Sequence, residues 1–273
     1  MLKRFYQRTP LPYTTIPVAL GAGIGLLFLL LPIIVLVARG IHTQGWQSTP
    51  GAGVTEAIAL SLSTTTASAG LTVVFGTPLA YVFARWQFPL KRFLNVLIEL
   101  PIVLPPAVAG LALLITFGRR GLLGPALESA GMTLAFTTAA VVLAQTFVAA
   151  PFYIRAAQLG FEAVPRDTEE AARVDGAQGW ALFYAITLPL SSRALFAGLV
   201  LSWARALGEF GATILFAGSI QGRTQTMPLF IYNVLERDLN AAIWTGVLLV
   251  GMALLALALS QALRPKPDET AAG

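Results

Sequence analysis

Cysteine is absent from this 273-residue chain, and histidine occurs once, at His42. Without a thiol there is no disulfide framework, no thiolate nucleophile and no cysteine-ligated metal. The lone imidazole has no second histidine or partner carboxylate beside it and reads as a solvated loop residue. Charge is scarce as well: 11% of residues are charged and 56% hydrophobic, with a mean hydropathy of +0.74. Soluble domains carry about 25% charged residues, so the composition is that of an integral membrane protein. The sequence has no G-x-x-x-x-G-K-[ST] phosphate loop, no H-E-x-x-H and no G-x-S-x-G. The chain is therefore expected not to be an enzyme, and any energy from ATP has to come from another polypeptide. The net charge of +5 is scattered through the breaks between apolar runs. It forms no patch interleaved with aromatics, which argues against nucleic acid and for membrane orientation.

What is present is long apolar sequence. A spanning helix needs about 20 apolar residues, and spans are predicted at about 16–38, 58–84, 94–117, 132–154, 194–217 and 240–263. Together they make one transmembrane domain, 16–263, between tails 1–15 and 264–273. The first apolar stretch, Ile16 to Ala38, follows Lys3, Arg4 and Arg8 as a signal peptide's would. It exceeds an h-region of about 7–15 residues and no small-residue cleavage site follows, so a retained helix is expected. With the N-terminus inside, twelve Lys/Arg fall on the cytoplasmic side: Lys3, Arg4, Arg8, Arg85, Lys91, Arg92, Arg155, Arg166, Arg173, Arg193, Arg264 and Lys266. Five fall outside (Arg39, Arg119, Arg120, Arg223, Arg237), and Arg205 lies within the membrane. The positive-inside bias thus places both termini in the cytoplasm.

Two spans carry unusual residues. The second contains SLSTTTASAGLT, with Ser61, Thr64, Thr65 and Ser68. Such hydroxyls serve either interhelical packing or the wall of a water-accessible path. The third opens with Pro101, Pro105 and Pro106. Each removes a backbone donor and clashes with the preceding turn, so a kink or break is expected. Irregular backbone at membrane depth is tolerated where it is buried or lines a cavity, which makes Pro105 and Pro106 either a packing kink or a pathway feature.

The longest polar break runs from 155 to 192. After Pro165, either Asp167 or Thr168 can cap a helix whose first turn holds Glu169 and Glu170, where the dipole favours negative charge. Ala171, Ala172 and Val174 continue it past Asp175, and Gly176 ends it as a left-handed cap. Trp180, Leu182, Phe183 and Ile186 then form a second apolar-faced segment, followed by Leu188, that Pro189 should stop. The result is a glycine-hinged knob with an acidic and an apolar face. An interfacial amphipathic helix is the alternative, but those favour Lys and Arg on the polar face. In the fifth span Arg205 and Glu209 lie four residues apart on one face. Intramembrane charges face the bundle interior. They form either a self-neutralising structural pair or, with the turn around Gly208, Phe210 and Gly211, part of a route or gate.

The spacing Glu170-Ala-Ala, three residues, Gly176, nine residues, Ile186-x-Leu-Pro189 matches the cytoplasmic coupling loop of ABC importer permeases. Ala204 to Tyr232, together with the second and third spans, resembles the permease subunit of molybdate importers. The resemblance covers about Leu60 to Leu263. It implies an all-α integral membrane protein with the type I ABC importer permease fold, six transmembrane helices per subunit and cytoplasmic termini. It further implies a homodimer in the bacterial plasma (inner) membrane, two cytoplasmic ABC ATPase subunits and an external oxyanion-binding protein. No cofactor is expected on this chain, ATP and Mg being held by the ATPase, and no metal. Glu169 to Pro189 becomes the ATPase-coupling lever. Ser61, Thr64, Thr65, Ser68, Pro105, Pro106, Arg205, Gly208, Glu209, Phe210 and Gly211 become candidates for the path or gate. With only Pro265 to Gly273 after the last span, the cytoplasmic regulatory domain that some members of the resembled family carry is not expected here. A sulfate or thiosulfate permease shares much of both segments. An ion-coupled secondary carrier would be expected to show an internal repeat and membrane carboxylates, and only Glu209 lies well inside a span.

Overall fold

A computed structural model describes residues 15–47, 49 and 51–262. The two tails, with Lys3, Arg4, Arg8, Arg264 and Lys266, lie outside the described residues except for Thr15. The fold is all-helical, without a strand among the described residues. Its long helices are α1 (Thr15–His42), α2 (Gly51–Arg85), α6 (Thr138–Glu162) and α12 (Leu239–Ala262), joined by a fifth rod, Trp180–Leu207. That rod begins as α8 (Trp180–Leu182), widens into a π turn over Phe183–Thr187 and continues as α9 (Leu188–Leu207). Between the rods lie α3 (Lys91–Val103), α4 (Pro106–Phe117), α5 (Gly124–Ser129), α7 (Arg166–Val174), α10 (Gly211–Phe216) and α11 (Met227–Leu235). Among the described residues five helices are long and apolar enough to cross a membrane, and α3 with α4 would make a sixth.

The core is a three-helix seam of α2, α6 and α9 held by small residues, which let helices approach closely where burial of apolar area gives no driving force in lipid. Gly160 of α6 faces Ala194 of α9, and Gly198 of α9 faces Ala156 of α6. A second cluster unites α4, α6 and α10 around Ala109, Ala144, Ala212 and Phe216. At the far end Val54 and Ala57 of α2 pack on Met227 and Phe230 of α11. Helix α1 has none of its apolar window buried, as expected of a lipid-facing rod. It meets α12 at Gly40, where an added Cβ would stand 2.7 Å from Val247.

Several expected boundaries move. The span expected at 94–117 is two helices bent by 112° across Leu104 and Pro105. The break sits at Pro105 and Pro106, with Pro106 opening α4, whereas Pro101 stays inside α3. Proline is tolerated at a first turn, where its missing N–H has no intrahelical role. The fourth span begins at Thr138 rather than 132, after Phe136 takes a left-handed φ of 60°, and runs on to Glu162. The fifth, expected at 194–217, begins at Trp180 and ends at Leu207, so much of the 155–192 loop is helix. Pro189 does not stop it. The N–H of Leu188 reaches back to the carbonyl of Phe183, five residues away, and this wider turn accommodates the proline ring and its absent donor. The other three spans, expected at 16–38, 58–84 and 240–263, lie within one to seven residues of α1, α2 and α12 at each end. Helix α11, with Met227 and Leu229 fully buried, was not anticipated. Its local signal is Thr226 followed by Met227 and Pro228, a helix-opening sequence.

Candidate functional sites

At the Arg85 end of the bundle, α7 and α8 form the glycine-hinged knob. The cap differs from expectation: Pro165 occupies the N-cap, α7 starts at Arg166, and neither Asp167 nor Thr168 caps it. Proline's fixed φ pre-sets the entry, and Asp167 and Glu169 then lie in the first turn. The exit follows the Schellman pattern. Asp175 is the C-cap, Gly176 sits at φ +94°, Gly176 N–H donates to Arg173 O at 3.1 Å, and Ala177 N–H donates to Ala172 O at 2.9 Å. Left-handed backbone at C′ is the reason for glycine there.

The two adjacent glutamates diverge. Glu170 is exposed with Ala171, Arg173 and Asp175. Glu169 is buried: its Oε1 accepts from Arg85 Nη2 at 2.6 Å and from Thr187 Oγ1 at 2.7 Å. The knob's acidic face therefore consists of Glu170, Asp167 and Asp175 without Glu169. Val174 is 88% exposed and Trp180 75% exposed, the latter stacked on Tyr184 at 5.7 Å. Ile186 is half-buried in the π turn, Leu188 half-buried at the start of α9, and Pro189 exposed.

The second candidate site lies where two helix breaks meet. The break at Pro105 precedes α4, and the break at Gly208 to Phe210 separates α9 from α10. They touch closely: an added Cβ on Gly211 would lie 2.5 Å from Pro106 Cβ, and one on Gly110 would lie 2.7 Å from Ala212 O. Glu209 spans the second break with both carboxylate oxygens. Oε2 pairs with Arg205 Nη1 at 2.8 Å, and Oε1 accepts from Ala212 N–H at 2.8 Å. The four-residue pairing of Arg205 and Glu209 is as the spacing implies, but Glu209 lies beyond the end of α9. Phe210 rests on Tyr232 with ring centroids 5.2 Å apart. Because Glu209 is 1% exposed and Arg205 30%, Glu209→Ala leaves a half-sheltered cation and an uncapped α10. The expected cost is about 2 kcal/mol, below the ~3–5 of a fully buried pair. A lowered midpoint of thermal unfolding in detergent would register it, and an unchanged one would contradict the pairing.

The hydroxyl run of α2 is packed inside the chain. Ser61 Oγ accepts from Met227 N–H at 2.7 Å, Thr65 Oγ1 accepts from Gln145 Nε2 at 3.4 Å, and Ser68 Oγ accepts from Thr146 Oγ1 at 3.1 Å. Thr64 donates to Leu60 O within its own helix. All four are nearly or wholly buried, so within one chain they hold α2 to α6 and α11 and present no open wall. A hydroxyl satisfies a buried partner at modest cost, and composition alone could not say that these face inward. Among the described residues no group of three or more His, Asp or Glu could hold a metal.

Among the described residues the chain is an all-helical bundle of candidate membrane spans, with one broken helix pair and a helix–glycine–helix knob at one end. The same fold occurs in a bacterial ABC transporter involved in the import of the acidic polysaccharide alginate. One of its chains aligns with a TM-score of 0.68 and 17% identity, over 91% of this chain and 95% of that one. The chain belongs to the family of inner membrane components of binding-protein-dependent transport systems, which it matches over residues 73–267. Among its relatives, the molybdenum transport system permease protein ModB of Mycobacterium tuberculosis is 43% identical over 89% of this chain and 93% of its own length. The sulfate transport system permease protein CysW of Synechococcus elongatus is 38% identical over 92% and 90%. These relatives are transport permeases.

Proposed function

We propose that this chain is the membrane-spanning permease subunit of an ATP-driven importer that moves molybdate, or the similar tungstate, from an external binding protein into the cytoplasm by alternating access. Two copies form the path, two ATPase subunits dock on the cytoplasmic face, and the assembly sits in the bacterial inner membrane. ATP and Mg belong to the ATPase subunits. The observation that carries this reading is the knob: a short helix, closed by Gly176 at φ +94°, that holds Glu170, Arg173 and Val174 out into solvent. Val174, Trp180 and Tyr184 together leave large apolar side chains exposed on the knob and the start of the following rod, the kind of surface a protein partner covers, and a firmly capped helix is suited to pass force into the Trp180–Leu207 rod. The two helix breaks supply the irregular backbone that membrane transport sites use where it is buried against protein. Glu209 and Arg205 neutralise each other there, so the path offers no strong anion trap. Selectivity is then carried mainly by the binding protein, and weak retention favours release. The cargo follows the 43%-identical molybdenum permease in preference to the 38%-identical sulfate permease.

The test is uptake into proteoliposomes holding the permease with its ATPase, supplied with its binding protein and labelled molybdate. ATP-dependent uptake suppressed by unlabelled molybdate or tungstate, and not by a hundredfold excess of sulfate, is the expected result. Suppression by sulfate at parity would transfer the reading to a sulfate permease. Uptake that persists without an ATPase subunit would favour a secondary carrier.

A further inference from the structure

Beneath the knob, one buried ion pair joins four parts of the chain, one of which, the end of α2, is distant in sequence from the other three. Arg85 is the last residue of α2, and its side chain is 10% exposed; that of Glu169, in the first turn of α7, is 7% exposed. Their 2.6 Å contact spans 84 residues of sequence. Thr187, the last residue of the π turn, donates to the same Glu169 oxygen at 2.7 Å. The Arg85 guanidinium also reaches Val164 O at 3.4 Å, on the link between α6 and α7. The knob is thus tied to α2, to the end of α6 and to the point where the α8–α9 rod is widened.

We infer that Arg85, Glu169 and Thr187 form the joint through which the coupling helix moves the spanning helices, with Glu169 acting as a positioning residue inside the permease and not as a contact for the ATPase. The inference rests on the transporter reading above and deepens it. Three observations support it. The neighbouring Glu170 faces solvent while Glu169 faces inward, so the pair of glutamates divides into an outer contact and an inner anchor. A buried ion pair is a poor source of net stability, because desolvation offsets attraction, but it fixes geometry where apolar packing would let surfaces slide. The joint also has slack: Arg85 Nε is buried without an acceptor, and a cavity of about 230 Å³ lined by Arg85, Glu169, Arg173 and Trp86 opens beside it. A guanidinium with an unused donor and adjoining space can change partners as α7 tilts.

The physics of buried pairs separates positioning from mere scaffolding. Removing one partner strands the other, whereas replacing both with apolar residues restores packing. The experiment compares Glu169→Gln, Thr187→Val and the double variant Arg85→Met with Glu169→Leu in reconstituted permease–ATPase complexes. Each is assayed for thermal midpoint and for ATP hydrolysed per anion delivered from molybdate-loaded binding protein. Glu169→Gln should raise the ATP consumed per anion at least about fivefold. The double variant should regain the parent's midpoint while its coupling stays as poor. Thr187→Val, which leaves the ion pair intact and releases only the rod, should lie between. A stability-matched double variant that couples like the parent would overturn the inference, as would Glu169→Gln coupling within twofold of it. Loss of ATPase from the purified Glu169→Gln complex, with Glu170→Gln retaining it, would likewise overturn it by making Glu169 the docking contact. If the unsubstituted complex hydrolyses ATP without delivering any anion, the transporter reading itself falls, and the joint with it.

Discussion

Gly198→Leu is expected to abolish folded permease. Gly198 lies on α9 against α6, where an added Cβ would stand 2.5 Å from Ala156 Cβ, 3.3 Å from Tyr153 O and 3.4 Å from Tyr153 Cα. The main obstacle is the Ala156 methyl, which is fixed to the α6 backbone and cannot rotate away as a flexible side chain could, with Tyr153 backbone close behind it. The reciprocal contact, Gly160 against Ala194 Cβ at 2.6 Å, repeats the arrangement along the same seam. A leucine would therefore have to separate two helices held by van der Waals contact and by the Ser202 hydroxyl bond to Ala149 O at 2.9 Å. Overpacking in a tolerant core costs about 1–3 kcal/mol, and with backbone on the far side this substitution should exceed that range. Size-exclusion profiles in mild detergent should show aggregate in place of a discrete species. Gly251→Leu is the control, since nothing lies within 4 Å of a Cβ at that position of α12. A Gly198→Leu protein that eluted and melted like the parent would refute the packing assigned to this seam.

Gly176→Val should leave the bundle folded and break the lever. No atom lies within 4 Å of a Cβ at Gly176, so the penalty is conformational: φ +94° is strained for any L side chain and most for a β-branched one. Such a position costs about 1–3 kcal/mol, enough to displace the chain from the left-handed cap. Once the bonds from Gly176 and Ala177 to Arg173 O and Ala172 O are lost, α7 frays and the entry to Trp180 is re-aimed. Anion uptake should fall more than tenfold, with ATP hydrolysis no longer tracking delivery. Gly176→Asn, which tolerates left-handed backbone, should keep much of the parent's uptake. Parent-like transport by Gly176→Val would remove the case for a Gly176-hinged lever.

How legible these sites were depended on how local their causes are. The knob's helix and its glycine exit could be read because their causes are local, but its entry could not: Pro165 and not Asp167 or Thr168 is the N-cap, and the first turn holds Asp167 and Glu169 without Glu170. The third-span break could be read because proline carries its own steric reason, although only Pro105 and Pro106 mark it and Pro101 stays inside α3. The course of the fifth span could not. Pro189 looked like a stop, and only the packing of the rod on α6 and α2 shows that a π turn absorbs it. The hydroxyl run of α2 left two readings open, because composition reports that hydroxyls are present and not which neighbours they meet. Their partners, Gln145, Thr146 and Met227, come from other helices.

By itself the sequence determined that this is a helical membrane protein of the binding-protein-dependent transport family. Apolar length, charge bias and a locally encoded loop suffice for that, since each acts through the bilayer or within one turn of chain. Tertiary structure alone decided that Glu169 and Glu170, adjacent residues of one motif, have opposite surroundings. About 100° of helical rotation separates their side chains. What lies on the inner side is Arg85, brought there by the packing of α2 from 84 residues away.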